Sequence, residues 1–423
     1  MGQQDLRRGP DPGGWQERRA GRGGKKAAQQ GGSQDPPAVR ALQEAEALQQ
    51  TAERRRGREA VPAHEKAAAA FKHVIDLHRV QALPAEKEAT AWFGLGESLQ
   101  NWAEAVVVSC ATLPDAQLSP AVEAEGHQTA GSLFQQAVSA YEQVHTADGH
   151  ARADAAVNSG NALSSAAELA SGQPALGLLA AGIQAYECAL RLEEDAMTWS
   201  NLADALVAKA ERLFDAGQHQ AAQDAYGRAM EAYSKSCSMS SSDQGDDLPG
   251  LLHNWGVGFF SIASHTQDGA IRSYALEESA RRLKAAIDFD RADVAPLNAL
   301  GDVRMAQAEA ASSSGEAVPL LQAALHEGYS AALQINARQT DALVGVAEVH
   351  AHWGKLLREG GALDDARQHF QQSAHAYTAA LANSTALGGF RDRCDDLLAD
   401  PDFASLQCQP WFQALLQQQT VGA

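Results

Sequence analysis

Five cysteines in 423 residues, none in a CxxC spacing, leave little for a disulfide framework or a thiolate metal site; Cys110, Cys188, Cys237, Cys394 and Cys408 read as reduced, small apolar residues. Aromatic residues are only 6% of the chain, whereas alanine is roughly a fifth of it. Side chains this small suit close-packed helices better than a sandwich or barrel. Positive charge is also short: 34 Lys and Arg face 53 Asp and Glu, a net of −19, which argues against general nucleic-acid binding through phosphate neutralisation. No uninterrupted apolar run is long enough for a membrane span; Leu176 to Ile183 is among the longest. The start has no apolar h-region, so no secretory signal is expected. Nucleophile elbows, P-loops, HExxH and a GxGxxG in strand-to-helix context are missing as well.

What the chain does have is a repeat. A tyrosine, or once a leucine, recurs with a mostly small residue four before it and another three after. The anchors Tyr141, Tyr186, Tyr233, Leu283, Tyr329 and Tyr377 lie 45, 47, 50, 46 and 48 residues apart, and Ala67/Phe71/Val74 is an earlier copy. Upstream of each anchor lies a second pattern, as in Trp92-x2-Leu95-Gly96-x2-Leu99, Trp199-x2-Leu202-Ala203-x2-Leu206 and Leu252-x2-Trp255-Gly256-x2-Phe259. That spacing places the bulky members on one helical stripe, and the small residue between them admits a neighbouring helix.

At these positions the chain resembles the tetratricopeptide repeat (TPR) family, whose pattern is W-x2-L-G-x2-Y, then A-x3-F, then P. The likeness covers roughly residues 61–390. The repeats are longer than the family's 34 residues, and the closing proline is replaced near Glu194, Arg291 and Ala337. The resemblance implies an all-α solenoid, a right-handed superhelix of about six lengthened helix pairs with longer connecting loops. Gly172-Gln173-Pro174 and Ser313-Ser314-Gly315 would break the chain, Cys110 to Glu125 would form the longest insert, and a polar loop, Ser238 to Gly250, would divide repeats three and four. Residues 1–60 carry a net charge of +4 and form a basic, largely disordered tail; 61–390 are the array; 391–423 form a cap, with Pro410-Trp411-Phe412 covering the last pair.

Histidines, paired carboxylates and the tyrosines each have an ordinary structural explanation. A metal set of His350 and His352 with His369 and His375 is set aside, because His350 and His352, two apart on a helix, point about 200° from one another and cannot chelate from one face. No metal, cofactor or catalytic residue is assigned, and the chain is read as non-enzymatic.

The resemblance also implies a groove lined by the first helix of each pair. Its positions here include Asn158 and Asn161, then Asn201 and Asp204, then His253, Asn254, Val257 and Phe260, and finally Asn298 and Asp302. The recurring asparagines can pair with an extended peptide backbone or can cap neighbouring turns; both readings stand. Family members that grip a chaperone's C-terminal carboxylate use lysines absent from these positions, so that clamp is disfavoured. The expected partner is another protein, offering an extended basic or neutral segment or an amphipathic helix against a polar-to-acidic wall with an apolar spot near Phe93, Trp255 and Phe260. The stretch Asn254 to Asp302 resembles organellar import and assembly members of the family, which makes a plastid or mitochondrial import or assembly factor the alternative. A regulatory subunit using the Ser238–Gly250 loop is a third reading. The compartment is expected to be cytoplasmic or an organellar stroma or matrix, since the tail is a poor targeting peptide.

Overall fold

The computed structural model describes residues 36–111, 119–146, 148–243 and 248–383; the first 35 residues of the predicted tail and the predicted cap lie outside them. Among the described residues there are fourteen helices and no strand. Helix α1 is Pro37–Glu53, and a short 3-10 turn leads into α2, Ala60–Val80. Six hairpins follow: α3 (Ala85–Ala111) with α4 (Pro120–Tyr141), α5 (Gly149–Glu168) with α6 (Gly172–Leu192), α7 (Ala196–Asp215) with α8 (His219–Asp243), and α9 (Leu248–His265) with α10 (Gly269–Phe289). Next α11 (Val294–Glu309) pairs with α12, which runs as Ser314–Ala323, a π-helical stretch Ala324–Tyr329 and Ser330–Ile335. The last pair is α13 (Thr340–Glu359) and α14 (Leu363–Asn383). Every upstream pattern falls on the first helix of a hairpin and every anchor on the second.

The anchors explain why the pairs close. Each is at most 9% exposed, and Tyr141, Tyr186 and Tyr329 lie against the glycine of their own first helix. A Cβ added at Gly96 would meet the Tyr141 ring at 2.5 Å, one at Gly160 the Tyr186 ring at 2.5 Å, and one at Gly301 the Tyr329 ring at 2.6 Å. Gly256 stands in the same relation to Leu283, at 2.7 Å. In the third and sixth pairs Ala203 and Ala347, both fully buried, hold that position. Two small polar residues flanking the anchors are satisfied by backbone: Ser279 donates to the Gly256 carbonyl at 2.7 Å, and Ser236 to the Ala196 carbonyl at 2.7 Å. In α12 the π-helical stretch brings Gly328 onto the Gly301 backbone, where a Cβ would lie 2.7 Å from the Gly301 Cα. This glycine-on-glycine crossing lets Tyr329 reach across the pair.

The array is longer per repeat because its helices are longer; from α5 onward they span mostly 20 to 25 residues. The connecting loops are short, in contrast to the expectation. From α5 onward, apart from the α8–α9 link, they are three or four residues, with an Asp N-cap before α5, α7, α10 and α11, each accepting a backbone N–H. Gly217, with φ of +74°, closes α7 through its N–H to the Phe214 carbonyl at 2.8 Å. Two predicted loops are helical in part. Residues Ser238–Asp243 continue α8, where Ser238 Oγ donates back to the Lys235 carbonyl at 2.7 Å and so spends its hydroxyl inside the helix. The expected insert from Cys110 to Glu125 is helical at both ends, because α3 runs to Ala111 and α4 starts at Pro120, and 112–118 lie outside the described residues.

The predicted boundary at residue 60 also moves. Helix α1 lies in the stretch assigned to the tail, yet Ala38, Val39, Leu42 and Ala45 share one buried cluster with Phe71 and Leu95, and Gln49 donates to Glu97 at 2.9 Å. Its apolar residues recur at helical spacing among polar ones, and composition averaged over 1–60 hides that stripe.

Successive first helices touch one another, α3 to α5, α5 to α7 and onward to α13, whereas successive second helices make no comparable contact. The first helices are therefore the closer-packed layer of the array. The anchor seat yields a stability prediction. Gly160→Val should lower stability by about 1–3 kcal/mol through overpacking against Tyr186. Gly160→Ala should destabilise by less, because its single Cβ still meets the buried Tyr186 ring at 2.5 Å while the gained helix propensity offsets part of the cost. Thermal unfolding of both variants checks this; equal losses would contradict the seat.

Candidate functional site

The residue after each small seat is the first candidate wall position, and the hairpin geometry decides what it does. Tyr186 O–H donates to Asn161 Oδ1 at 2.7 Å, Tyr329 O–H to Asp302 Oδ1 at 2.6 Å, and Tyr233 O–H to Asp204 Oδ1. Tyr141 reaches one turn along, to Gln100 Oε1 at 3.1 Å. Where the anchor is Leu283 and has no hydroxyl, the matching position is Val257, which needs no donor and is 40% exposed. Burial raises the Tyr186, Tyr233 and Tyr329 hydroxyl pKa values well above the ordinary range, so these groups stay protonated donors.

The same acceptors take a second bond from the next first helix. Asn201 Nδ2 donates to Asn161 Oδ1 at 3.2 Å, and Asn254 Nδ2 to Asp204 Oδ2 at 3.1 Å. A ladder results: anchor hydroxyl, wall acceptor, neighbouring asparagine. It joins α5 to α7 and α7 to α9. Five of the ten predicted wall residues, Asn161, Asn201, Asp204, Asn254 and Asp302, thus have intramolecular partners, and Asn201 is only 5% exposed. The other five are not drawn into it. Asn158 makes no side-chain hydrogen bond among the described residues, and Asn298 Oδ1 is buried without a partner there. His253 is half-buried and its pKa is lowered by burial. Phe260 is half-buried against the core of the central pairs.

The expected apolar spot is smaller than its prediction. Trp255 is 8% exposed, stacked between Tyr233 and Phe259 at ring distances of 6.5 and 6.2 Å, with the Arg282 guanidinium 3.6 Å from its ring centre. Phe93 packs edge-on to Tyr141 at 5.7 Å. Val257 and Phe260 remain. The cation over Trp255, and the similar placement of Lys235 over Trp199 at 4.5 Å, have no signature in spacing, because each pair joins different helices.

The first helices carry a further regularity that spacing alone did not flag. Four of them end on a carboxylate: Glu168 on α5, Asp215 on α7, Glu309 on α11 and Glu359 on α13, all exposed. A helix C-terminus bears partial negative charge, so an anion there is unfavourable by about 0.3–1 kcal/mol. On the second-helix side, a cleft of about 520 Å³ opens between α6, α7 and α8 over Trp199, Leu190, Leu202 and Leu206, rimmed by Arg191 and Glu231 among others. No helix among the described residues is long and apolar enough to cross a membrane, and no group of three or more His, Cys, Asp or Glu side chains is placed to hold a metal ion there.

No family model matches the chain, and no curated protein does. Among solved structures, the S. pombe nuclear import adaptor Nro1, the hypoxic regulator of sterol synthesis, is similar at 12% identity over 80% of this chain and 94% of its own, with a TM-score of 0.44. The TPR2AB domain of yeast Sti1 in its pHSP90 complex matches at 14% identity over 80% of this chain and 98% of its own, with a TM-score of 0.20. The human IFIT1 dimer with m7Gppp-AAAA matches at 13% identity over 83% of each chain, with a TM-score of 0.31. What each of these proteins binds is a property of that protein.

Two outcomes follow from the ladder. Burial lifts the Asp204 pKa to about 6 against hydrogen bonds from Tyr233 and Asn254 that lower it. The folded state then holds this proton more tightly than the unfolded state, so stability is highest below about pH 4 and falls as pH rises through 6. Asp204→Asn should abolish that slope, because Asn161 already accepts both kinds of donor on one oxygen. It should match the parent near pH 4 and exceed it by up to about 3 kcal/mol at pH 8, as read from unfolding curves at both pH values. A variant no better at pH 8 would contradict the buried-carboxylate reading. Leu283→Tyr alone should destabilise by pointing a hydroxyl at Val257, and adding Val257→Asn should recover about 1 kcal/mol as a favourable coupling in a double-mutant cycle.

Proposed function

We propose that this chain is a non-catalytic binding scaffold of lengthened TPR type, whose first-helix layer holds a basic segment of another protein. The observation that carries this reading is the exposed carboxylate closing four of the first helices. Each costs helix stability at the end where a cation would add to it, and none is needed for the hairpin contacts. A row of such groups along one edge of the layer attracts Lys and Arg from a partner. Seven residues before Glu168 and Glu309 stand Asn161 and Asp302, two turns away on the same stripe, which sets the acidic edge beside the ladder. Val257, exposed in the middle of the layer, supplies an apolar contact.

The ladder asparagines serve the scaffold in this reading, and recognition falls to the acidic edge and to Val257 with Phe260. Structural stability and binding are then separable by charge reversal. Glu309→Lys should raise stability by a few tenths of a kcal/mol to about 1 kcal/mol, Glu168→Lys should not, because it sets a second cation against Arg212 of α7, and the two together should cut recovery of the native partner several-fold in a pull-down. Glu231→Lys, in the cleft between the second helices, should leave recovery unchanged. Undiminished recovery with the double reversal would overturn the proposal, and so would loss confined to Glu231→Lys, which would move the site to the cleft.

A further inference from the structure

The last hairpin brings together two histidines that sequence spacing had separated. His350 lies on α13 and His369 on α14, and their Nδ1 atoms are 3.0 Å apart. The Trp353 ring packs against His369 at 4.5 Å between centres and fixes its plane. Both imidazoles are half-buried, and neither makes another polar contact in the described residues. His350 and His352 diverge on one helix, as their spacing predicts; the partner of His350 is His369 on the neighbouring helix.

We propose that His350 and His369 form a two-nitrogen chelate for a divalent transition metal of the copper or nickel class, clipping α13 to α14. The two Nδ1 atoms already lie 3.0 Å apart, so a small turn of each ring brings both lone pairs onto one ion at about 2.0–2.1 Å. A set of imidazole nitrogens and water suits copper(II) and nickel(II), and in the ordinary order of divalent affinities copper is held more tightly than zinc. In the metal-free protein one ring donates its Nδ1–H to the other. On metal binding that proton moves to Nε2 of the same ring, leaving two Nδ1 lone pairs for the ion. Asp365, one turn before His369 on α14, adds negative charge that favours a cation. Water completes the coordination, because no third protein side chain is in place among the described residues.

Titration of the full chain with Cu2+ alone tests this, read by equilibrium binding and by nitrogen hyperfine structure in the electron paramagnetic resonance spectrum. The parent should bind one ion with a two-nitrogen signature above the background of its other histidines. His350→Gln and His369→Gln should each weaken that step at least tenfold, and Zn2+ should bind the parent more weakly than Cu2+ does. His369→Asn, which keeps a polar group beside Trp353, guards against a folding artefact and should behave as His369→Gln does while unfolding at the parent's temperature. Identical Cu2+ isotherms for the parent and the double glutamine variant would overturn the proposal and leave the pair a hydrogen bond. Zn2+ binding as tight as Cu2+ would overturn the assignment of metal class.

Discussion

Everything in this array depends on one contact, a flat aromatic ring on a residue too small to push it away. The first helix supplies glycine or alanine, the second supplies tyrosine, and the pair closes because no Cβ, or only one, stands between them. Such close approach leaves the tyrosine hydroxyl deep in the seam, where a missing partner would cost about 1–3 kcal/mol. The next residue of the first helix meets that demand at Asn161, Asp204 and Asp302, and the one pair closed by leucine has valine there. Packing between two helices thus dictates the polarity of a position that faces a third. Asn201 and Asn254 carry the same constraint into the next hairpin, which ties the stacking of repeats to the closure of each one.

The periodic part of this design was readable in the chain. Anchors and seats recur at a fixed offset because they meet within a hairpin, and contacts local in sequence leave a local pattern. The number of hairpins and the helical class follow from that pattern alone. Serine and glycine overstate the loops, because a helix absorbs a serine by bonding its hydroxyl to a preceding carbonyl, as Ser238 does. Helix α1 is hidden in the tail by averaged composition, since its short apolar stripe stands among polar residues and the partner helices show what it packs against.

The ten residues expected on the first helices all lie on those helices. Their roles were not legible, because an asparagine that faces a groove and one that faces the next helix differ by less than one residue of helical rotation. Cation–aromatic contacts at Trp199 and Trp255 and the His350–His369 pair join residues from different helices, with no fixed offset to betray them. The carboxylates ending the first helices were present in the sequence, but the ends themselves were known only once the helices were placed. Composition had already hinted at the outcome, since a net charge of −19 must be displayed somewhere.

Combined, these constraints divide the molecule into a seam that is fully occupied with holding itself together and an edge of charge that works against its own helices. A partner polypeptide held on the first-helix layer is the proposal on which the rest turns. Backbone amide exchange of the protein with and without its captured partner is its sharpest test. Slowed exchange is expected in the last turns of α5, α7, α11 and α13 and around Val257 of α9, with α6, α8 and α10 unchanged. Protection confined to the second helices, or spread equally over both layers, would contradict it.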